Sequence, residues 1–162
     1  MIRQLAVFLE NKPGQLSSLA GCLGEGQINI RALSVAETKD YGVVRFIPND
    51  PAKAKEILFK KGYAVIETEV LAVEVPDKPG GLASLTGLLA DGGMNIEYAY
   101  SSVMRFKENA ILILQVDDKE KAEEVTGQIV MLTVEKVKRR KRKVTVPLLR
   151  KKEKRSGKTL TG

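Results

Sequence analysis

The chain has no histidine and no tryptophan, a single cysteine, and only eight aromatic residues among 162. Without histidine, this chain cannot build a histidine-based triad, use an imidazole as acid or base, or offer a histidine to zinc. No metal site and no cofactor is expected. Cys22, being alone, cannot close an internal disulfide. Long apolar runs are also missing: stretches such as Ile111 to Leu114 fall far short of the ~20 residues that a membrane-spanning helix needs. The opening Met1-Ile2-Arg3-Gln4-Leu5 lacks the charged-then-apolar layout of a signal segment, so a cytoplasmic location with no membrane contact is expected.

What is present is ordinary for a soluble globular protein, with 43% hydrophobic and 29% charged residues. The length allows one domain or two small ones. The net charge of +7 hides a division along the chain. From Lys136 to Lys158 there are thirteen Lys and Arg against one acidic residue, Glu153. Residues 1–135 therefore hold fourteen basic and nineteen acidic residues, a net of −5. An acidic body precedes a strongly basic tail, and their partners must be argued separately.

The body repeats itself. Leu5-Ala6-Val7 aligns with Leu71-Ala72-Val73 at an offset of 66, and the match runs without a gap to Asn29-Ile30 over Asn95-Ile96, with 14 of 26 positions identical. Beyond this the offset becomes 68, read as a two-residue insertion in the second turn, so that Asp50 falls over Asp118. Similarity fades after Val125. Two units are too few for a solenoid, and two copies of a small α+β domain are expected.

Each copy has the same pattern. Leu5 to Leu9 and Val70 to Val75 read as strands. Leu16, Leu19, Ala20 and Leu23, like Leu82, Leu85 and Leu89, recur at helical spacing, and Gly24 and Gly26, or Gly92 and Gly93, end those helices. Ile28 to Val35 and Met94 to Val103 are second strands; Tyr41 to Ile47 and Asn109 to Val116 are third strands. Asp50-Pro51 opens a second helix in copy one, and Asp117-Asp118 does so in copy two. Gly62 ends the former, and Tyr63 to Thr68 is a fourth strand. The order is βαββαβ, the split ferredoxin-like arrangement. The expected fold is α+β, with the two repeats forming one eight-stranded antiparallel sheet and the helices on one face. Ile111 to Leu114 is apolar on both faces, so the second face calls for a cover. A homodimer held around that segment is expected to supply it.

The loop between the first strand and first helix is the recurrent feature with chemistry in it. It reads Asn11-Lys12-Pro13-Gly14-Gln15-Leu16 in copy one and Asp77-Lys78-Pro79-Gly80-Gly81-Leu82 in copy two. Pro suits a first helical turn, and Gly lets another group approach the backbone. The free N–H groups at such a helix end, with the dipole behind them, suit a carboxylate. Asn11 or Asp77 serves equally well as a helix cap. Asn29 and Asn95 recur at the start of the second strand, either as turn residues or as a donor and acceptor for a polar ligand.

These two loops, with Gly26, Ile28-Asn29-Ile30, Gly92-Gly93 and Met94-Asn95-Ile96, resemble the ACT domain, well over residues 3–125 and weakly over 126–137. The resemblance implies a first ACT-like domain at 1–69, a second at 70–137, and a basic tail at 138–162 without packed structure. It implies a stand-alone tandem ACT protein that is regulatory and not an enzyme, with an amino acid bound between repeats. The ligand contacts it implies are Asn11, Gly14, Gln15, Leu16 and Asn29 in copy one, and Asp77, Gly80, Gly81, Leu82 and Asn95 in copy two. The acidic Asp77 against the neutral Asn11 makes the two sites unequal: Asp77 repels a carboxylate or meets an ammonium.

The tail fits no part of that family. Lys138-Arg139-Arg140-Lys141-Arg142-Lys143 and Lys151-Lys152-Glu153-Lys154-Arg155 read three ways: an arm for nucleic acid or another polyanion, a solvated extension, or the product of a shifted reading frame. The alternative function is accordingly a nucleic-acid-associated regulator that uses the tail, with the repeats serving for dimerisation. The tail has no aromatic residue to stack on bases, which counts against a reader of single strands.

Overall fold

The repeat unit reads βαββαβ, but the fourth strand of copy one has no end of its own. In the structure, a computed structural model that describes residues 1–37, 40–106 and 108–126, that strand continues as the first strand of copy two. The elements are β1 (Ile2–Glu10), α1 (Gln15–Glu25), β2 (Ile30–Glu37), β3 (Tyr41–Pro48), α2 (Pro51–Lys60), β4 (Val65–Pro76), α3 (Gly81–Asp91), β5 (Ile96–Phe106), β6 (Asn109–Val116) and α4 (Lys119–Thr126). All described residues lie in the compact unit Met1–Leu132; the unit Thr133–Gly162 lies outside them, as do the 127–137 end of the second domain and the 138–162 tail.

The shared strand changes the expected architecture. The first half of β4 pairs with β1, from Val65↔Val7 to Val70↔Ile2, and the second half with β6, from Leu71↔Leu114 to Pro76↔Asn109. With β2 and β5 joined at Ala32↔Ser102, the order β1-β3-β2-β5-β6-β4 closes on itself, and every pairing is antiparallel. The sheet is therefore a closed one of six strands, not an open one of eight. The reason is the missing linker at Val70: with no residues to turn between copies, one twelve-residue strand serves both.

The insertion also lies elsewhere than in a turn. Ser101 pairs with Leu112 and Arg105 with Ala110, so four residues of β5 span two of β6. The extra pair forms a bulge inside β5, and Ser102, in that bulge, makes the bridge to Ala32. The Ser102 hydroxyl also donates to the Arg31 carbonyl at 2.8 Å. One irregularity in copy two thus closes the seam to copy one.

Alternation places the core. Leu5, Val7 and Leu9, with Val44 and Phe46, meet Leu19, Cys22 and Leu23 of α1 and Ala54 and Leu58 of α2 on the outer face. Leu71, Val73 and Val75, with Leu114 and Val116, meet Leu85 and Leu89 of α3 and Ala122 of α4 in the same way. Residues of opposite parity, Val70, Ala72, Ile111, Ile113, Ala32 and Ile47, point inward and pack on one another across the copies. Ile111 to Leu114 is indeed apolar on both faces. Its cover, however, is the other repeat of the same chain: Ile111 is 2% and Ile113 0% exposed. A homodimer cannot be held there. Cys22 is a core residue, as its apolar surroundings in the helix imply.

Among the described residues the interior holds a polar cluster around Gln4. Gln4, 1% exposed, donates from Nε2 to the Tyr98 hydroxyl at 2.7 Å and accepts at Oε1 from the Tyr100 hydroxyl at 2.8 Å. The Arg45 guanidinium lies 4.5 Å from the centre of the Tyr98 ring, a cation–π contact. Burial, reinforced by Tyr98 and opposed by Arg45, pushes the Tyr100 hydroxyl well above its ordinary value, so it remains a donor at physiological pH.

Candidate ligand site at the strand–helix loops

The two loops fold alike. Gly14 (φ 88°, ψ −15°) and Gly80 (φ 88°, ψ −10°) are left-handed N-caps of α1 and α3. That region disfavours any residue with a Cβ, so Gly is required here by the backbone. Nothing lies within 4 Å of where a Cβ would stand at either position, so the approach to both helix ends is open. Ser18 N–H donates to the Gly14 carbonyl and Ser84 N–H to the Gly80 carbonyl, both at 2.9 Å. Gln15 N–H reaches the Lys12 carbonyl, and Gly81 N–H the Lys78 carbonyl. The N–H groups of Leu16 and Ser17, and of Leu82 and Ala83, donate to no acceptor among the described residues. Neither helix has a side-chain cap, so Asn11 and Asp77 do not cap. Their backbone N–H groups anchor the loop, Asn11 N–H to the Asp40 carbonyl and Asp77 N–H to the Glu108 carbonyl, both at 3.0 Å. In the second helices the capping is as the sequence implies: Asp50 accepts from Lys53 N–H, and Asp118 from Lys121 N–H, at 3.0 Å.

A pocket of about 320 Å³ opens at the second loop. Its walls are Val75, Pro76, Lys78 and Pro79, with Asp77 and Leu82, and its far side is Ala110 and Leu112 of β6. Gly81 is buried beneath it, where a Cβ would stand 2.2 Å from the Pro76 carbonyl oxygen. Gln15 holds the equivalent place in copy one, so the two loops are not packed identically. The β6 wall escapes sequence reasoning. Ala110 and Leu112 read as ordinary strand residues, and only the alternation that turns Leu112 outward points to them.

Asn29 and Asn95 sit elsewhere. Each donates its backbone N–H to the start of the second helix, Asn29 to Asn49 Oδ1 at 2.8 Å and Asn95 to Asp117 Oδ1 at 3.0 Å. Within one copy, such an asparagine lies at the far end of the first helix from the loop. Eleven residues at ~1.5 Å each put them ~16 Å apart. Gly14 and Asn29 are therefore not brought together, nor are Gly80 and Asn95. The antiparallel sense of Ala32↔Ser102 instead runs the Asn29 end of β2 toward the Asn109 end of copy two, where the pocket lies.

Among the described residues no cluster of Cys, Asp and Glu could hold a metal ion, and no helix is long and apolar enough to cross a membrane.

The sequence matches the family of the ACT domain pair over residues 1–141, a span that takes in 127–137, where the internal similarity is lost. Protein BT0572 from Bacteroides thetaiotaomicron is 37% identical; the match covers 76% of this chain and 85% of that one, with a TM-score of 0.72. The ligand-free regulatory subunit of aspartate kinase from Thermus thermophilus shares the fold at 17% identity, 79% and 91% coverage, and a TM-score of 0.57. Its counterpart from Thermus flavus does so at 19% identity, 78% and 90% coverage, and 0.55. No curated protein matches the sequence. The chain belongs to the ACT domain family, as a tandem pair of ferredoxin-like regulatory repeats.

Proposed function

We propose that this protein is a non-catalytic regulator that binds a free amino acid at the loop of copy two. The observation that carries this reading is the pocket of about 320 Å³ at the left-handed Gly80 turn, beside two helix N–H groups without an acceptor. A carboxylate takes those N–H groups with the positive end of the α3 dipole behind them, a term of ~0.3–1 kcal/mol before hydrogen bonding is counted. Asp77 offers an acceptor for the ammonium, and Val75, Leu82 and Leu112 give an apolar wall for the side chain. Asn29 of copy one stands at the end of β2 that runs toward this loop, and is the polar group the other repeat offers. The Asn11-to-Leu16 loop is a second site of different affinity, because it has Asn11 for Asp77 and Gln15 for Gly81. The relatives from Thermus are regulatory subunits of aspartate kinase, in keeping with a regulatory role here. A homodimer would use the outer surface, where Val35 and Val103 are exposed. The nucleic-acid reading rested on the 138–162 tail, which lies outside the described residues, and the fold adds nothing to it.

A thermal-shift series over the twenty amino acids tests the reading. A ligand at 100 times its Kd adds ~2.7 kcal/mol of stability. Leu82→Asp is the matching variant: it puts an anion in the first turn of α3, which that helix end favours, and repels a carboxylate from the pocket. The expected result is an undiminished melting temperature and a lost ligand shift. No shift with any amino acid, or an equal shift in Leu82→Asp, would overturn the assignment.

A further inference from the structure

The two repeats align residue for residue, so each inward-facing residue of one copy has a counterpart in the other. The offset is 66 through Ser101 and 68 beyond the bulge in β5. On the outer face the counterparts are alike: Leu5 and Leu71, Val7 and Val73, Leu19 and Leu85, Leu23 and Leu89. On the inner face two pairs are alike, Ala6 with Ala72 and Val43 with Ile111, and five are opposites. Gln4 corresponds to Val70, Tyr98 to Ala32, Tyr100 to Ser34, Arg45 to Ile113, and Gln115 to Ile47. In each of these five pairs one copy holds a polar or aromatic side chain and the other a small or apolar one. The polar members are split between the copies, Gln4 and Arg45 in copy one and Tyr98, Tyr100 and Gln115 in copy two.

We infer that this divergence makes the inner face of each repeat an interaction surface that accepts only the other kind of repeat. The contacts show why. Gln4 is satisfied by two tyrosine hydroxyls that copy one does not contain. Arg45 stacks on Tyr98, which copy one replaces with Ala32. Ala32, at 1% exposure, leaves the room that those rings fill. Two copy-one faces set against each other would bury Gln4 and Arg45 with no phenol to meet them. Two copy-two faces would crowd four tyrosine rings without the Gln4 amide that joins them here. Buried polar groups left unpaired lose their bonds to water without replacement, and a polar group in an apolar contact is a recognised device for fixing which surfaces pair. The partner is thus the unlike repeat of the same chain, and like-with-like pairing is rejected. This stands apart from the amino-acid reading, since none of these residues lines the pocket.

The test uses full-length variants. In the first, all five pairs are exchanged between the copies, so that each inner face takes the character of the other and the unlike match is kept. In the second, only copy two is changed, by Val70→Gln, Tyr98→Ala, Tyr100→Ser, Ile113→Arg and Gln115→Ile, so that both faces are of the copy-one kind. Melting and light scattering are read for both. The full exchange is expected to melt cooperatively as the parent does, in the parent's oligomeric state. The half exchange should melt at least ~10 °C lower, the scale of several kcal/mol in a chain of this size, or show no cooperative transition. A half exchange as stable as the parent, or a full exchange no more stable than the half, overturns the inference.

Discussion

Replacing Gln4 by Leu should cost more than its two hydrogen bonds. Gln4 is 1% exposed and joins β1 of copy one to the Tyr98 and Tyr100 hydroxyls of copy two. Two such bonds have a net worth of ~0.5–1.5 kcal/mol each, and a buried hydroxyl without a partner costs ~1–3 kcal/mol. Gln4→Leu in the parent should therefore lose ~2–4 kcal/mol. In a Tyr98→Phe/Tyr100→Phe background the same substitution removes an amide that already lacks partners, and it should be neutral or stabilising. The difference is a coupling energy of at least ~1.5 kcal/mol, well above the ~0.3–0.5 kcal/mol scatter of independent sites. Urea denaturation of the parent, Gln4→Leu, the double phenylalanine variant and the triple variant measures it, provided the slope with denaturant stays constant. Costs that simply add across the four proteins would refute the idea that the cluster acts as one unit.

Ile113→Asp should abolish the cooperative transition seen by circular dichroism, because Ile113 is 0% exposed inside the closed sheet and an isolated charge there has no water. Val103→Asp, at a residue 75% exposed, should stay within ~0.5 kcal/mol of the parent. Gln27→Gly should stabilise by ~0.5–1 kcal/mol in urea, since Gln27 has φ 57° where copy two has Gly93 at φ 71°. The Tyr100 hydroxyl is raised in the folded state, so its contribution is complete below the ordinary tyrosine value of ~10 and fades as pH rises through the higher folded value. Melting between pH 9 and 12 should therefore show an alkaline loss that Tyr100→Phe reduces, and an unchanged alkaline limb in that variant would contradict the assignment.

Local signals in the sequence carried most of the elements. Asp50-Pro51, Gly26 and the leucine spacing mark helix ends and faces that the structure keeps, because each depends on a few adjacent residues. The repeat located the two left-handed glycines at once. What was not legible depends on how residues far apart meet. The long β4 looks like two strands, since nothing in Thr68-Glu69-Val70-Leu71 shows whether the chain turns or runs on. The bulge in β5 reads as a longer turn because an insertion has a length in sequence but no position within a smooth strand. Asn29 and Gly14 look like partners because both recur, yet recurrence within a copy says nothing of the ~16 Å of helix between them. The pocket wall at Ala110 and Leu112 comes from a strand that neighbours β4 only after folding.

The closed sheet also bears on how the two loops can work. In an open arrangement of identical repeats, both loops would see the same neighbour and would bind alike. Here each loop faces a different repeat: the Asp77 loop lies toward the Asn29 end of copy one, and the Asn11 loop belongs to a copy whose inner face carries Gln4 and Arg45 rather than tyrosines. The strand start that carries Asn95 leads directly into Tyr98 and Tyr100, whose hydroxyls meet Gln4 on the far side of the interior. On β2 of copy one, Ala32 and Ser34 occupy those positions, and the cluster is met from β1 by Gln4 instead. The same divergence that makes the repeats complementary therefore gives their two loops unequal surroundings, the Asn11 loop following the strand of Gln4 and the Asp77 loop packing against β6.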